Sequence, residues 1–314
     1  MTINPLRACT FAALGLASTT AMADVDVYGR ISLALQNADE AGVSQVELRN
    51  NNSRFGVKGS EDLGEGLKAI YQFEWQVDVT DNGNSSDNHI KARNQFVGLQ
   101  GGFGTLKVGR HDTALKLTQG DFDLFNDLEG DIGIVLNGEN RVSNFIGYTT
   151  PSFGGLSATV NLIPGEDAAA GEDGVADATS FSIDYANDNW YASIGRDSDI
   201  EGADIDTTRV VGGYKLGDAR FNLLYQRTET PIDEADGYGA SFAYAVDRHV
   251  FKAQYLTSDI HEVGVGVSHE NVASLGYEYK LAKSTKLFGY YTTADIAASN
   301  ESSDYLGIGM EHRF

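Results

Sequence analysis

Cysteine is almost absent: the 314 residues contain one, Cys9, and it lies in a stretch that reads as a cleavable export leader. That leader, residues 1–23, has Arg7 as its charged start, an apolar run over residues 8–17, and Ala21-Met22-Ala23 as a small-residue cleavage site before Asp24. Without it, residues 24–314 can form no disulfide and carry out no thiol chemistry. After the leader no run of about 18 apolar residues occurs, which excludes a membrane-spanning helix. Basic residues are few, 23 against 45 acidic ones, for a formal net charge of −22, and the leader removes only Arg7. Such acidity argues against a nucleic-acid partner.

Signatures of catalysis and of metal binding are missing too. There is no Gly-x-Ser-x-Gly. The histidines (His89, His111, His249, His261, His269, His312) are scattered, and His261 and His269 share a loop at a spacing typical of no metal motif. Residues 197–208 begin like a calcium loop with Asp197, Asp199, Glu201 and Gly202, but carry Thr208 where the bidentate Glu belongs. No enzyme, no cofactor and no metal centre is expected.

What is present is alternation. Over residues 67–80 one face reads Leu67, Ala69, Tyr71, Phe73, Trp75, Val77, Val79 and the other Lys68, Ile70, Gln72, Glu74, Gln76, Asp78, Thr80. This two-residue period outlasts an ordinary strand. Similar runs cover residues 25–36, 219–228 and 304–314. Short turns at 62–66, 101–104, 152–155, 187–189, 217–219, 247–249 and 283–285 alternate with longer polar loops near 37–46, 80–89, 112–142, 163–179, 197–207, 229–237, 258–271 and 295–303. Fifteen connections join about sixteen antiparallel strands, with both termini on the short-turn side. Tight turns at one rim and long loops at the other describe an all-β transmembrane barrel. A soluble sandwich would have to bury Lys68, Glu74, Arg220 and Gln226 unpaired, at several kcal/mol each. A sixteen-stranded barrel has an aqueous interior and avoids that cost.

The stretch 112–142 breaks the pattern. It places Asp121, Asp123, Asp127, Glu129 and Asp131 among Phe122, Leu124, Phe125, Leu128, Ile132 and Ile134. Loops of this length inside a compact fold usually carry function. The mixture suggests a loop that packs by its apolar side, presents carboxylates from the other, and narrows the lumen.

Several motifs, in order along the chain, carry a family resemblance. The run from Ser53 to Ala69, SRFGVKGSEDLGEGLKA, resembles the second hairpin of the Gram-negative general porins, the trimeric diffusion channels of the outer membrane. So do Val25-Asp26-Val27-Tyr28-Gly29-Arg30 and Phe96-Val97-Gly98-Leu99 followed by Gly102-Phe103-Gly104. Gly109-Arg110 ahead of the long loop, Tyr148 to Gly155 after it, and the terminal Phe314 complete the set.

The resemblance implies a 16-stranded antiparallel barrel over residues 24–314 whose third loop folds inward and faces a ladder of arginines. Matched motif by motif, the ladder is Arg30, Arg54, Arg93 and Arg141. Parity supports three: Arg30 lies opposite Ile31 and Leu33, Arg54 opposite Phe55 and Val57, and Arg93 opposite Phe96. Arg141 rests on the resemblance alone, and Arg110 shares a face with Leu106 and Val108. The enterobacterial Pro-Glu-Phe-Gly-Gly turn is replaced here by Asp127-Leu128-Glu129-Gly130-Asp131, which makes Glu129 and Asp131 the first choices to face the ladder. Phe314, with His312, Met310, Ile308 and Leu306 before it, resembles the signal read by the outer-membrane assembly machinery. Also implied are a homotrimer, contact with outer-membrane lipid and with lipopolysaccharide through divalent cations at acidic loops, and passive diffusion of ions and small hydrophilic solutes. The net charge and the acidic loop add an expected mild cation preference. The competing expectation is a substrate-specific channel on the same barrel.

Overall fold

The computed structural model describes residues 24–80, 89–166 and 174–314. Residues 1–23, expected as a leader, and residues 81–88 and 167–173 of the loops expected at 80–89 and 163–179 lie outside the described residues. Strand segments β1 (Asp24–Glu40), β2 (Val43–Asn50), β3 (Arg54–Gly64), β4 (Leu67–Val77), β5 (Ile90–Gly101) and β6 (Gly104–Asp112) precede the long loop. After it come β7 (Arg141–Thr149), β8 (Leu156–Ile163), β9 (Ala178–Ala186), β10 (Trp190–Ser198), β11 (Asp206–Leu216) and β12 (Ala219–Glu229). The last five are β13 (Glu234–Val246), β14 (His249–Ser258), β15 (His269–Ala282), β16 (Thr285–Ile296) and β17 (Ser302–Arg313).

Apart from β2 and β3, each segment pairs antiparallel with its neighbours in sequence, and β1 closes the ring against β17 in the register Arg30↔Arg313 to Glu40↔Ser303. On its other side β1 meets β2 along its upper half and β3 along its lower half, so β2 and β3 are two parts of one crossing. The wall is therefore a closed barrel of sixteen antiparallel crossings. Gly29 and Phe314 exchange backbone hydrogen bonds of 3.0 and 3.1 Å at the seam, placing Phe314 and the start of β1 at the short-turn rim.

Two of the expected loops are strand. β1 and β2 extend through the polar segment 37–46 to a tight turn at Ala41 and Gly42, both at positive φ, and β12 and β13 extend through much of 229–237. Polarity there marks strand that stands clear of lipid; backbone pairing does not need an apolar face.

Outward positions are apolar and bare, as in Leu223 (68% exposed) and Ile308 (66%). The inward face divides in two. Under the loop it is apolar: Val211, Leu224, Leu256, Val272 and Ala294 form one cluster with loop residues Phe122, Ile132, Val135 and Leu136. A second cluster joins Phe125 to Ala34, Ala38, Phe288, Tyr290 and Tyr305. Strict alternation fails at Leu223-Leu224 and Tyr255-Leu256 because one residue of each pair meets lipid while the other seats the loop. Gly239 lies where a side chain would collide with the Phe122 ring.

Parity also misplaces one marker. Phe96 pairs with Gln72 on the inward face, so it does not define the side opposite Arg93. Arg93 still reaches the lumen because the register shifts between Phe73 and Trp75, where the bulge sets Arg93 and Asn94 against Glu74.

Truncating Phe122 to Ala removes a fully buried ring from the loop's seat, at a cost of about 3–5 kcal/mol. The expected outcome is protease cleavage within residues 112–141 while the barrel keeps its resistance to detergent at room temperature; an uncut loop contradicts this seating.

Candidate functional site

The long loop leaves β6 at Asp112 and returns at Arg141. Its first turn, Ala114–Leu117, is capped by Thr113, whose Oγ1 accepts from Lys116 N at 3.2 Å. Inward side chains of the wall then take up the loop's free amides: Asn161 Oδ1 accepts from Ala114 N at 2.7 Å and Ser180 Oγ from Leu115 N at 3.1 Å. A second turn, Ile132–Ile134, is capped by Asp131, which accepts from Gly133 N at 2.8 Å. Backbone polar groups inside a lumen need such partners, which explains why the opposing wall positions are Asn and Ser.

Arg141 binds Asp112 Oδ1 at 2.9 Å and donates to Asn94 Oδ1 at 2.8 Å, closing the loop's root. Arg209, with no exposed surface, holds the returning half through Glu139 at 2.6 Å, the Asn137 carbonyl at 2.8 Å and Gln226 at 2.8 Å. At the far end, Asp127 meets Arg30, Arg54 at 3.2 Å, and Asn52 Nδ2 at 2.7 Å. Glu129 meets Arg49 at 2.8 Å and Gln36 at 2.8 Å. The loop thus crosses the lumen from its root beside Arg141 to a tip resting on β1, β2 and β3.

The expected residues divide accordingly. Arg30 and Arg54 come together with Asp127. Arg93 pairs with Glu74 at 2.7 Å, and Arg141 with Asp112, so both are matched by carboxylates of the wall and not of the loop. Asp121 pairs with Arg220 on β12 at 2.5 Å. Asp131, a first choice to face the arginines, instead organises the loop itself, as does Asp123. Asp123 accepts from Phe125 N, Ile132 N and Gln254 Nε2, and Asp131 from Asp127 N and Gly133 N. Asn52, Arg49, Gln36, Glu74 and Asn94 were not singled out from the sequence. The run Asn50-Asn51-Asn52-Ser53, which is turn-like inside a strand pattern, was the available signal.

Burial raises the cost of the Asp127 charge, but Arg30 and Arg54 outweigh it and hold the carboxyl below its usual value. Glu129 is raised by burial, with Arg49 and Gln36 pulling the other way. Asp123 and Asp131 are both raised, first by burial; for Asp131 the neighbouring Asp123 charge comes next.

Below the tip, a recess of about 310 Å³ is lined by more paired charges. Lys252 and Lys286 share Glu278 at 2.7 and 2.8 Å, and Arg313 binds Glu311 at 2.8 Å. Among the described residues no His, Cys, Asp and Glu group has metal-binding geometry. The arrangement offers a polar path bounded by interleaved charges of both signs.

The Gram-negative porin family profile matches residues 8–298 of this chain. Among curated proteins, "Major outer membrane protein P.IB" of Neisseria gonorrhoeae is 32% identical over 342 residues, covering 98% of the chain and 89% of that protein. "Outer membrane porin protein 32" of Delftia acidovorans is 31% identical over 309 residues, covering 90% and 85%. Among solved structures, the anion-selective porin from Comamonas acidovorans superposes with a TM-score of 0.76 at 24% identity, covering 93% of this chain and all of that one. Salmonella typhi OmpF superposes at 0.73 with 14% identity, covering 92% and 97%.

Because the seated loop holds Asp123 and Asp131 above their free values, it binds protons that the released loop has lost. Seating therefore weakens as pH rises from the free carboxylate value of about 4 toward their raised values. Hydrogen exchange of the 123–133 amides should speed up across that interval more than amide chemistry alone requires, and Asp131→Asn should flatten the trend; a pH-independent excess contradicts the assignment.

Proposed function

The chain belongs to the Gram-negative porin family and is an outer-membrane channel, and from that premise we propose that ions and small hydrophilic solutes diffuse through it passively, with a mild preference for cations set at its mouth. One observation carries the sign of that preference. The described long-rim connections 199–205, 230–233, 259–268 and 297–301 hold Asp199, Glu201, Asp204, Asp233, Asp259, Glu262 and Glu301 and no Lys or Arg. The sequence of the other two surface loops, 78–89 and 164–177, is equally free of basic residues. At the tip, by contrast, Asp127 and Glu129 are matched by arginine.

The acidic mouth raises the local cation concentration. The balanced constriction then adds a transverse field that aligns water and polar solutes and slows apolar ones. The export leader, read from its own residues, belongs to the same proposal, as do, on the strength of the family resemblance, the homotrimer, the recognition of Phe314 by the assembly machinery and lipopolysaccharide contacts through divalent cations.

A reading of opposite sign has an observation in its favour. Arg30, Arg49, Arg54, Arg93 and Arg141 line the wall beside the loop, and a structure of the same fold is an anion-selective porin. Reversal potentials of the purified channel in a potassium chloride gradient separate the two. The mouth-set preference should favour potassium and fade with salt, as the screening length falls from about 30 Å at 0.01 M to about 3 Å at 1 M. Asp127→Asn, which uncovers two arginines, should shift the potential toward chloride. A wild-type channel that favours chloride at low salt overturns the proposed sign.

A further inference from the structure

The wall opposite the loop is interrupted at one place, between β2 and β3, at Asn51, Asn52 and Ser53. The interruption is built. Asn50 Nδ2 donates to the Val77 carbonyl at 3.0 Å, Val77 N to the Ser53 carbonyl at 2.7 Å, and Asn51 N to the Ser32 carbonyl at 2.9 Å. The adjoining strands thereby stay joined while the backbone turns inward. Asn52 sits at φ +50° and Asp127 at φ +67°. Asn and Asp tolerate this left-handed conformation better than other residues that carry a Cβ. Two such backbones facing each other are a costly arrangement that persists only where the surroundings impose it.

We propose that Asn52 is a positioning residue for permeation: with the carbonyls beside it, it clasps the loop tip to the wall and so fixes the cross-section of the constriction. Its amide donates to Asp127 Oδ1 at 2.7 Å. Its own carbonyl and that of Asn51 accept from Arg30 Nη2 at 3.5 and 2.9 Å, orienting the guanidinium that meets the other Asp127 oxygen. One three-residue break therefore aligns both partners of the carboxylate. Outside the strand ladder, these two carbonyls are turned to Arg30. The root is held separately by Arg141 and Arg209, and at the tip the clasp acts beside the contacts of Glu129 with Arg49 and Gln36. The inference rests on the channel reading but not on the sign of its ion preference.

The test is single-channel recording in planar bilayers with the protein exported and assembled in its own membrane. Asn52→Gly keeps the positive φ and loses the amide. Asn52→Asp sets a carboxylate against Asp127. Loss of a hydrogen bond to a charged group corresponds to roughly a tenfold rise in the fraction of time with the tip released. That release should be read as excursions to higher conductance and as faster entry of larger sugars. Asn52→Asp should show the larger effect, and adding Asp127→Asn should reverse it, because the amide and carboxylate then exchange places. A purely structural role lowers heat resistance in detergent and is not repaired by the second change. Asn52→Asp channels with the wild-type current trace and sugar cutoff overturn the proposal, as does a defect that Asp127→Asn fails to repair. A preparation that conducts no current fails the channel reading itself, and is distinguished by wild-type controls.

Discussion

A wall that borders lipid must satisfy its backbone hydrogen bonds within itself, because hydrocarbon supplies no partner for an open edge. In this protein the constraint is met at β1, which pairs with β17 on one side and with β2 and β3 on the other. The terminal Phe314 is bonded back to Gly29, so the last residue of the chain completes the ring. Once the ring is shut, alternate side chains have nowhere to point but lipid or lumen. The width of sixteen crossings leaves more lumen than side chains fill.

That leftover space gives the long loop its role. A segment of polypeptide inside a wet lumen has no reason to stay there unless it buries apolar surface. The inward face of β11 to β17 is made apolar where Phe122, Phe125, Ile132 and Leu136 land. The opposite inward face keeps its arginines and carboxylates. Charge gathers instead around the loop's tip and root, where Arg30, Arg49 and Arg54 meet Asp127 and Glu129 and Arg141 meets Asp112. Compensation is close to complete at the constriction. The surplus of negative charge is left to the rim, at loops that can vary in sequence without disturbing the barrel.

Much of the fold can be read from the sequence because the barrel's rule is local. Parity and turn residues need only near neighbours, so β4, the short turns and the placement of Arg30 and Arg54 follow from the order of residues. The bulge at Arg93 already exceeds that rule: one extra residue puts Phe96 and Arg93 on the same side. The extension of β1 and β2 to Ala41 was hidden because polar strand above the lipid has no apolar face to announce it. The loop was less legible still. Asp123, Asp127 and Asp131 are alike in sequence, and which of them meets an arginine depends on where the chain reverses. Asn52 became visible only when the tip was seen to rest on it.

The central claim is that residues 112–141 lie inside a water-filled lumen and set its narrowest width. Leu117, on the first turn of the loop, is 49% exposed, and Cys9 is the only natural cysteine, so a Leu117→Cys channel in a Cys9→Ser background carries one thiol. Conductance recorded before and after reaction of that thiol with a bulky, water-soluble methanethiosulfonate tests the claim directly. A lasting stepwise fall in current, absent from the unmodified parent, is the predicted result. Full labelling that leaves the current unchanged would contradict it.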